Sequence, residues 1–571
     1  QPSSVSVGSK TDGMVLPGAK LIGLAIALSS SSVIHARSGN EPHGVCDILP
    51  KDRVPCESRV QCEPGMCCTG GHSECFYSKV LMASCSLRHP PQEVFSPEDV
   101  QILWSRLYTN LNVSGTGAVV ASHDHFTPGG SYFFHWARDA ALVMATLLAG
   151  AGERSSVPHG VAEWMNKWLE WEQRALRSGP DVATNGIDLR VEVKFLIPKG
   201  VVFKDPWCRP QTDGPPLRAL TLLRFARTTD AAANASFTAT PVWGRIASDL
   251  DYTAEHWAEG SCDLWEEVWD ARGDFFWNRF MARAALTVGA KVAAGVGEYR
   301  RAKRWRSEAE SITSLLETHW DGKVVMESES ANRRGDAAVL EAFNEGYLGD
   351  GVYGPLDVRV LHTLIFMQRH FCAEYAVNYA RAGNVRGVLI GRYPRDKYAG
   401  GNPWILLSAS FASVLYRASA ELRRASEASE EQLTLLRELV GDSDLAREDL
   451  ADALLGAGDG ILANIKALAP DLHFTEQLSR QTGQPLGAAD LTWSYANVLK
   501  ALAHRSSASE GHFEGPPTGL AFLPVRGRSP EFSYFWALSP LLLPAVPGFA
   551  LCYCLYWCVR KAKRRGCDKW Q

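Results

Sequence analysis

The chain has 571 residues, 59 Lys and Arg against 63 Asp and Glu, a formal net charge of −4, and an apolar fraction of 46%. The basic residues are scattered through the body, which excludes a nucleic-acid partner read by a positive face. The length leaves room for a large buried core together with smaller appended segments. The first expected element, residues 1–40, is a targeting segment. Met14 to Ala36 has a lysine, the apolar run Leu21 to Leu28, then serines and a His-Ala ending, as secretory signals do. A signal anchor or an unstructured tail is the alternative. Residues 41–96 concentrate Cys46, Cys56, Cys62, Cys67, Cys68, Cys75 and Cys85 among Gly, Pro and Ser, with too few large apolar residues to build a core. A disulfide-stapled module of an oxidising compartment is expected there, with a metal site as the rival. The odd thiol is free or paired to the main body, where Cys208 and Cys262 are the candidates.

Residues 97–505 read as one all-α unit. Apolar residues recur every three or four positions in Val100–Leu111, Trp136–Leu148, Val161–Leu176, Leu217–Phe225, Phe275–Val292, Trp305–Leu316, Val358–Tyr379, Trp404–Leu422 and Leu491–Leu502. No stretch alternates long enough for a large sheet. Ser426 to Pro470, charged and broken by Gly456, Gly458 and Gly460, reads as solvated helices on the flank. Gly129-Gly130, Gly214-Pro215, Gly400-Gly401 and Gly487 mark tight connections at helix ends, where loops on a rigid scaffold can carry chemistry. Residues 506–531 form an expected flexible stalk. Residues 532–559 carry no charge and have Phe535, Trp536, Tyr553, Tyr556 and Trp557 toward the edges, as a transmembrane helix would, with Pro540, Pro544 and Pro547 allowing a kink. The basic cluster Arg560 to Arg565 within the tail 560–571 then acts as a stop-transfer signal, leaving the body extracytoplasmic. Cys552, Cys554, Cys558 and Cys567 are acylation candidates. Asn112-Val-Ser114 and Asn234-Ala-Ser236 are glycosylation sequons.

The motifs that carry chemistry follow in order. Tyr132-Phe-Phe-His-Trp136-Ala-Arg138-Asp139 comes first, then Trp207-Cys-Arg209-Pro-Gln-Thr-Asp213 and Asp263-Leu-Trp265-Glu266-Glu267. Arg392-Tyr393-Pro-Arg-Asp396-Lys-Tyr398 with Asn402-Pro-Trp404 follows, and last come Phe474-Thr-Glu476-Gln and Asp490-Leu-Thr-Trp493-Ser-Tyr495. The Glu266-Glu267 pair beside Trp265 reads by itself as an acid-catalyst site at a helix end, since an apolar wall and a second negative charge both raise a carboxyl pKa. The ordered set, covering roughly Glu98 to Arg505, resembles the glucoamylases, family 15 of the glycoside hydrolases.

That resemblance implies an (α/α)6 barrel of six inner and six outer helices, and an exo-acting hydrolase that inverts the anomeric carbon. Glu266 is then the expected general acid and Glu476 the general base. Glu267, Arg138, Asp139 and Arg392 hold sugar hydroxyls. Tyr132, Trp136, Trp207, Trp265, Trp404 and Trp493 give stacking faces, and Arg209 and Asp213 organise the pocket wall. Asp396 and Tyr398 are explained as well by a buried polar network as by substrate contact. The implied substrate is an α-glucan or malto-oligosaccharide, with no cofactor, no metal and no nucleic acid, on a monomer held to the membrane by its C-terminal helix. His135, Cys208 and Cys262 depart from the family pattern and are expected to border the pocket, changing affinity or linkage preference. Two other readings stay open: a catalytically silent glucan-sensing regulatory module, and a family-15 trehalase or glucodextranase.

Overall fold

The computed structural model describes residues 54–55, 66–68, 74–77, 87–127, 129–149, 159–177, 186–228, 235–379 and 387–509. The expected targeting segment, stalk, apolar span and basic tail lie outside the described residues, as does most of the Cys-rich segment. Among the described residues, no helix is long and apolar enough to cross a membrane. Strands β1 (Val54–Pro55), β2 (Met66–Cys68) and β3 (Glu74–Tyr77) form an antiparallel sheet in the order β1-β3-β2.

The body is helical, and the burial pattern of each helix sets its layer. Helix α1 (Pro97–Thr109) begins at a capping box: Ser96 accepts from the Asp99 N–H, the Asp99 carboxylate accepts from the Ser96 N–H, and Pro97 opens the first turn. Strand β4 (Phe134–Trp136) leads into α2 (Ala137–Ala149), followed by α3 (His159–Arg177). Strands β5 (Lys194–Leu196) and β6 (Val201–Val202) complete a small antiparallel sheet with β4. Next come α4 (Gly214–Thr228), α5 (Pro241–His256), the hairpin of β7 (Ser261–Cys262) and β8 (Trp269–Asp270), α6 (Phe276–Gly295) and α7 (Tyr299–Leu316). The chain continues through α8 (Ala338–Glu345), α9 (Val358–Glu374), α10 (Ile405–Arg424), α11 (Glu430–Val440) and α12 (Arg447–Leu468). It closes with the hairpin β9 (Gln477–Leu478) and β10 (Pro485–Leu486), then α13 (Thr492–Ser509). On α7 the buried residues are Ala302, Trp305, Ala309, Ile312 and Leu316, one stripe at three- and four-residue spacing, so the helix lies at the outside. On α6 nearly every residue from Phe276 to Val288 is buried, so it lies inside.

The inner helices close on themselves. Helix α13 packs on α2, α2 on α4, α4 on α6, α6 on α8, α8 on α10, and α10 on α13. Around this ring α1 lies against α13, α3 against α2, α5 against α4, α7 against α6 and α12 against α10, while α11 ties α9 to α12. The result is a barrel of the α/α type. Two expectations need correction. Helix α12 is not a solvated flank: Leu450, Leu454, Leu455, Ile461 and Ile465 are buried, and Asp459 is fully buried where it accepts from Tyr416 and Arg505. Its glycines let neighbours approach, since a Cβ on Gly458 would lie 2.5 Å from the Tyr416 ring. The expected helix Val358–Tyr379 breaks at Tyr375, whose extended backbone separates α9 from the single turn Ala376–Tyr379.

One consequence of the winding positions the site. The segments bearing the motifs each run into the N-terminus of an inner helix: Trp136 into α2, Trp207 into α4, Glu266 into α6, Arg392 and Trp404 into α10, and Glu476 into α13. The loop before α8 joins them with Arg333 and Asp336. All six inner helices therefore present the positive ends of their dipoles to the same end of the barrel.

Candidate active site

The β7–β8 hairpin is wound around Asp263. Its Oδ1 accepts from the N–H groups of Glu267 and Val268 at 2.7 and 2.8 Å, and its carbonyl accepts from the Glu266 N–H at 3.1 Å. This winding places Glu266 in the left-handed region, φ 63°, a conformation that costs a residue with a Cβ about 1–2 kcal/mol. The two adjacent carboxylates diverge as a result. Glu266 Oε1 accepts from Trp136 Nε1 at 3.1 Å and Arg138 Nη2 at 2.9 Å, and its Oε2 from Trp207 Nε1 at 2.6 Å. Glu267 turns the other way, accepting from Arg392 Nη2 at 2.7 Å, Tyr393 Oη at 2.6 Å and Arg333 Nη2 at 2.8 Å. The sequence pattern suggested a helix end here. The structure has a hairpin instead, and the left-handed residue separates the pair.

Arg138 and Asp139 occupy the first turn of α2. Arg138 Nη1 donates to Asp213 at 2.8 Å and to Gln211 at 3.0 Å, which aims Nη2 at Glu266. Trp277 of α6 donates to the same Asp213 oxygen at 2.9 Å, so Asp213 stands behind the arginine as its anchor. Burial pushes the Asp139 carboxyl up to about 7 against the pull of Arg138, and the charge of Glu266 adds to the shift. On the opposite side Arg392 is locked by Asp396 through Nε at 2.8 Å and Nη2 at 2.7 Å. Its guanidinium lies 4.8 Å from the Tyr398 ring, 5.5 Å from Trp265 and 5.8 Å from Trp404.

Glu476 directly precedes β9. Its Oε1 accepts from Tyr132 Oη at 2.6 Å and its Oε2 from Gln477 Nε2 at 3.1 Å. Burial holds its carboxyl above the ordinary carboxylate range, although Tyr132 and Gln477 pull it down. Gly487 makes room for this carboxylate: its φ is 73°, and a Cβ there would meet Glu476 Oε2 at 2.4 Å.

These groups share one aromatic circuit. Trp207 meets Trp136 at 6.4 Å between ring centroids, and Trp136 meets Tyr132 at 5.7 Å. The Tyr132 and Tyr398 hydroxyls are 2.9 Å apart, Tyr398 lies 6.3 Å from Trp404, and Trp404 lies 5.9 Å from Trp265. Trp265 adjoins Glu266, which closes the circuit. Glu266 is bound to it at Trp136 and Trp207, and Glu476 at Tyr132.

Other expected site residues stand outside this circuit. Arg209 is anchored to Glu192 at 2.9 Å and to the carbonyls of Asp205 and Phe203, bracing the loop before α4. Trp493 is buried in the first turn of α13, with no partner for its Nε1 among the described residues. His135 does not border the site. On β4 it faces opposite to Trp136, fully buried, with Nδ1 accepting from the Val119 N–H and Nε2 donating to Glu172 of α3 at 2.9 Å, the pattern of a neutral ring. Cys208 and Cys262 are not partners for the Cys-rich segment, because they form a disulfide with each other. That bond joins the loop of Trp207 to the hairpin of Glu266. Sequence reasoning missed Lys194, Arg333 and Asp336. Asp336 accepts from Trp265 Nε1 at 2.7 Å and so fixes that indole. Lys194 left one signal, a lone cation in the apolar run Val193–Ile197.

A family model described as glycosyl hydrolases family 15 matches residues 105–503. The glucoamylase of Blastobotrys adeninivorans is 29% identical over 442 residues, covering 70% of this chain and 69% of that protein. Among solved structures, the Hormoconis resinae glucoamylase superposes with a TM-score of 0.62 at 25% identity, covering 72% of this chain and 73% of its own. The family 15 glucoamylase from Hypocrea jecorina gives a TM-score of 0.62 at 26% identity, covering 75% and 78%.

Proposed function

The chain belongs to glycosyl hydrolase family 15, and from that premise we propose that it is an exo-acting, inverting glucan 1,4-α-glucosidase, a glucoamylase. It releases β-D-glucose from the non-reducing ends of starch- or glycogen-type chains, cutting α-1,4 linkages and, more slowly, α-1,6 linkages. The observation that carries the reading is the attachment of two carboxylates, Glu266 and Glu476, to separate points of one aromatic circuit.

Glu266 is the general acid. Its Oε1 already accepts two donors and its Oε2 only one, so Oε2 has the free lone pair that carries the proton to the glycosidic oxygen. Glu476 is the general base, taking a proton from the water that attacks the anomeric carbon from the opposite face. Inversion requires a separation of roughly 6.5–9.5 Å between the two carboxyls to admit that water. Arg138 and Asp139 grip the hydroxyls of the terminal glucose, Arg392 is the second arginine at that sugar, and Glu267 holds sugar hydroxyls. Trp136, Trp207, Trp265, Trp404, Trp493 and Tyr132 supply stacking faces. Asp213 and Arg209 brace the wall.

Incubation with malto-oligosaccharides, starch and trehalose, following the anomer released, tests the reading. β-Glucose from the oligosaccharides supports it and α-glucose overturns the inverting assignment. Glucose from trehalose alone moves the enzyme to a trehalase, and no glucose at all favours a sensing module. The body works on the extracytoplasmic side of a membrane. The uncharged run 532–559 and the basic cluster behind it support this, and release of the enzyme by alkaline extraction would count against it.

A further inference from the structure

Lys194 has no place in the chemistry above, yet its side chain is buried beside it. The residue lies on β5 and is 2% exposed. Among the described residues no oxygen accepts a hydrogen bond from its Nζ. Four rings surround it instead: Nζ is 3.2 Å from the centroid of Trp207, 4.0 Å from Phe203, 4.5 Å from Trp136 and 4.8 Å from Phe134. Two of these rings, Trp136 and Trp207, are the indoles whose N–H groups donate to Glu266. We infer that Lys194 is a positioning residue for the acid, holding the two indoles by their faces so that their N–H edges meet both oxygens of Glu266. The inference rests on the reading of Glu266 as general acid.

The physics has two parts. A cation over an indole face draws on the negative lobe of the ring, which fixes the tilt of both tryptophans and withdraws electron density from them, making each N–H a stronger donor. The same cation attracts the ionised form of Glu266 across the rings. Burial pushes the Lys194 ammonium down to about 8, Glu266 opposes that shift, and Arg209 and Asp205 act in opposite senses. Among the described residues, Arg138 and Asp139 on α2 and Lys194 on β5 each interact electrostatically with Glu266. Arg138 reaches its carboxylate directly, and Lys194 acts through the indoles.

The variants Lys194→Met, which keeps the stem and removes the charge, and Lys194→Arg, which keeps the charge, are compared on maltose and maltotriose. For Lys194→Met kcat falls about tenfold with KM changed less than about twofold, the signature of lost transition-state positioning. The basic limb of the kcat profile moves to higher pH, because the variant has lost an attraction to the ionised acid. Lys194→Arg restores the wild-type limb and most of kcat. Wild-type kcat and pH profile in Lys194→Met overturn the inference, and so does a lower kcat with an unmoved limb, which would reduce Lys194 to packing. Should Lys194→Met not fold, Phe203→Leu opens one wall of the cage away from Glu266. A smaller shift of the same limb then supports the inference, and an unchanged profile overturns it. Inactivity of the wild type on every glucan would instead remove the hydrolase reading itself, and this inference with it.

Discussion

Tyr132 stands directly on the candidate base. Its hydroxyl donates to Glu476 and is one of two side-chain donors that offset the effect of burial on that carboxyl. A base must be ionised to work, so losing the donor should raise the pH at which Glu476 becomes active. Tyr132→Phe is expected to move the acid limb of the kcat profile to higher pH and lower kcat about tenfold at mildly acidic pH, measured by initial rates on maltose across the pH range. Glu266→Gln is expected to lose most turnover while maltose binding, followed by tryptophan fluorescence, is kept. The amide preserves the shape of the carboxyl and has no transferable proton. Undiminished turnover would exclude Glu266 as the acid.

Among the elements, the β7–β8 hairpin and the loop before α4 are useless apart. One contributes Glu266 and the other Trp207, and at the reacting side chain they meet through a 2.6 Å hydrogen bond. The Cys208–Cys262 disulfide and the hydrogen bond from the Cys262 N–H to the Pro210 carbonyl hold their bases together. Replacing both cysteines by serine is expected to lower stability by about 2–4 kcal/mol from the restored freedom of the unfolded loop. It should also lower kcat about tenfold, because small displacements of a positioned group are costly in rate. Thermal unfolding and steady-state kinetics on the same preparation check the two effects. A stable variant with reduced kcat would assign the bond to alignment alone.

The whole molecule buries charge in its ring. Glu341 on α8 accepts from Ser410 of α10 and Asn497 of α13 at the centre of three inner helices, and burial pushes its carboxyl up to about 7. Burial also pushes Asp336 up to about 7, as it does Asp139. In the unfolded chain such groups titrate near 4, so between about pH 4 and 7 the folded form binds more protons. Stability from these groups is present at low pH and is lost as pH rises through 7. His319, pushed down to about 4 by burial and Arg279, works in the other direction and loses stability as pH falls. His504, pushed well below its ordinary value by burial, acts in the same sense as His319, but the three raised carboxyls outnumber the two histidines, and Tm is expected to be higher at pH 5 than at pH 7.5. Glu341→Gln removes one such group, on the order of 3 kcal/mol of linkage, so its fall in Tm between pH 5 and 7.5 should be several degrees smaller. An equal fall in both proteins would show that Glu341 carries no proton into the fold.

The sequence by itself determined the helical class, the positions of most helices and the order of the site motifs, because amphipathic spacing and short motifs are local properties of a chain. It did not determine which helices are inner. The charges and glycines of α12 suggested a solvated flank, and only the packed ring turned Asp459 inward and used the glycines for close approach. Nor could it place His135, one residue from Trp136 yet on the opposite face of β4, or pair Cys208 with Cys262. Arg333, Asp336 and Lys194 carry no motif, and each acquires its meaning from a partner tens of residues or less away in sequence but on another element. The joining of Glu266 and Glu476 to one circuit was likewise decided by tertiary structure alone. Residues more than two hundred positions apart meet only when six helices close and bring their N-terminal loops to a common end.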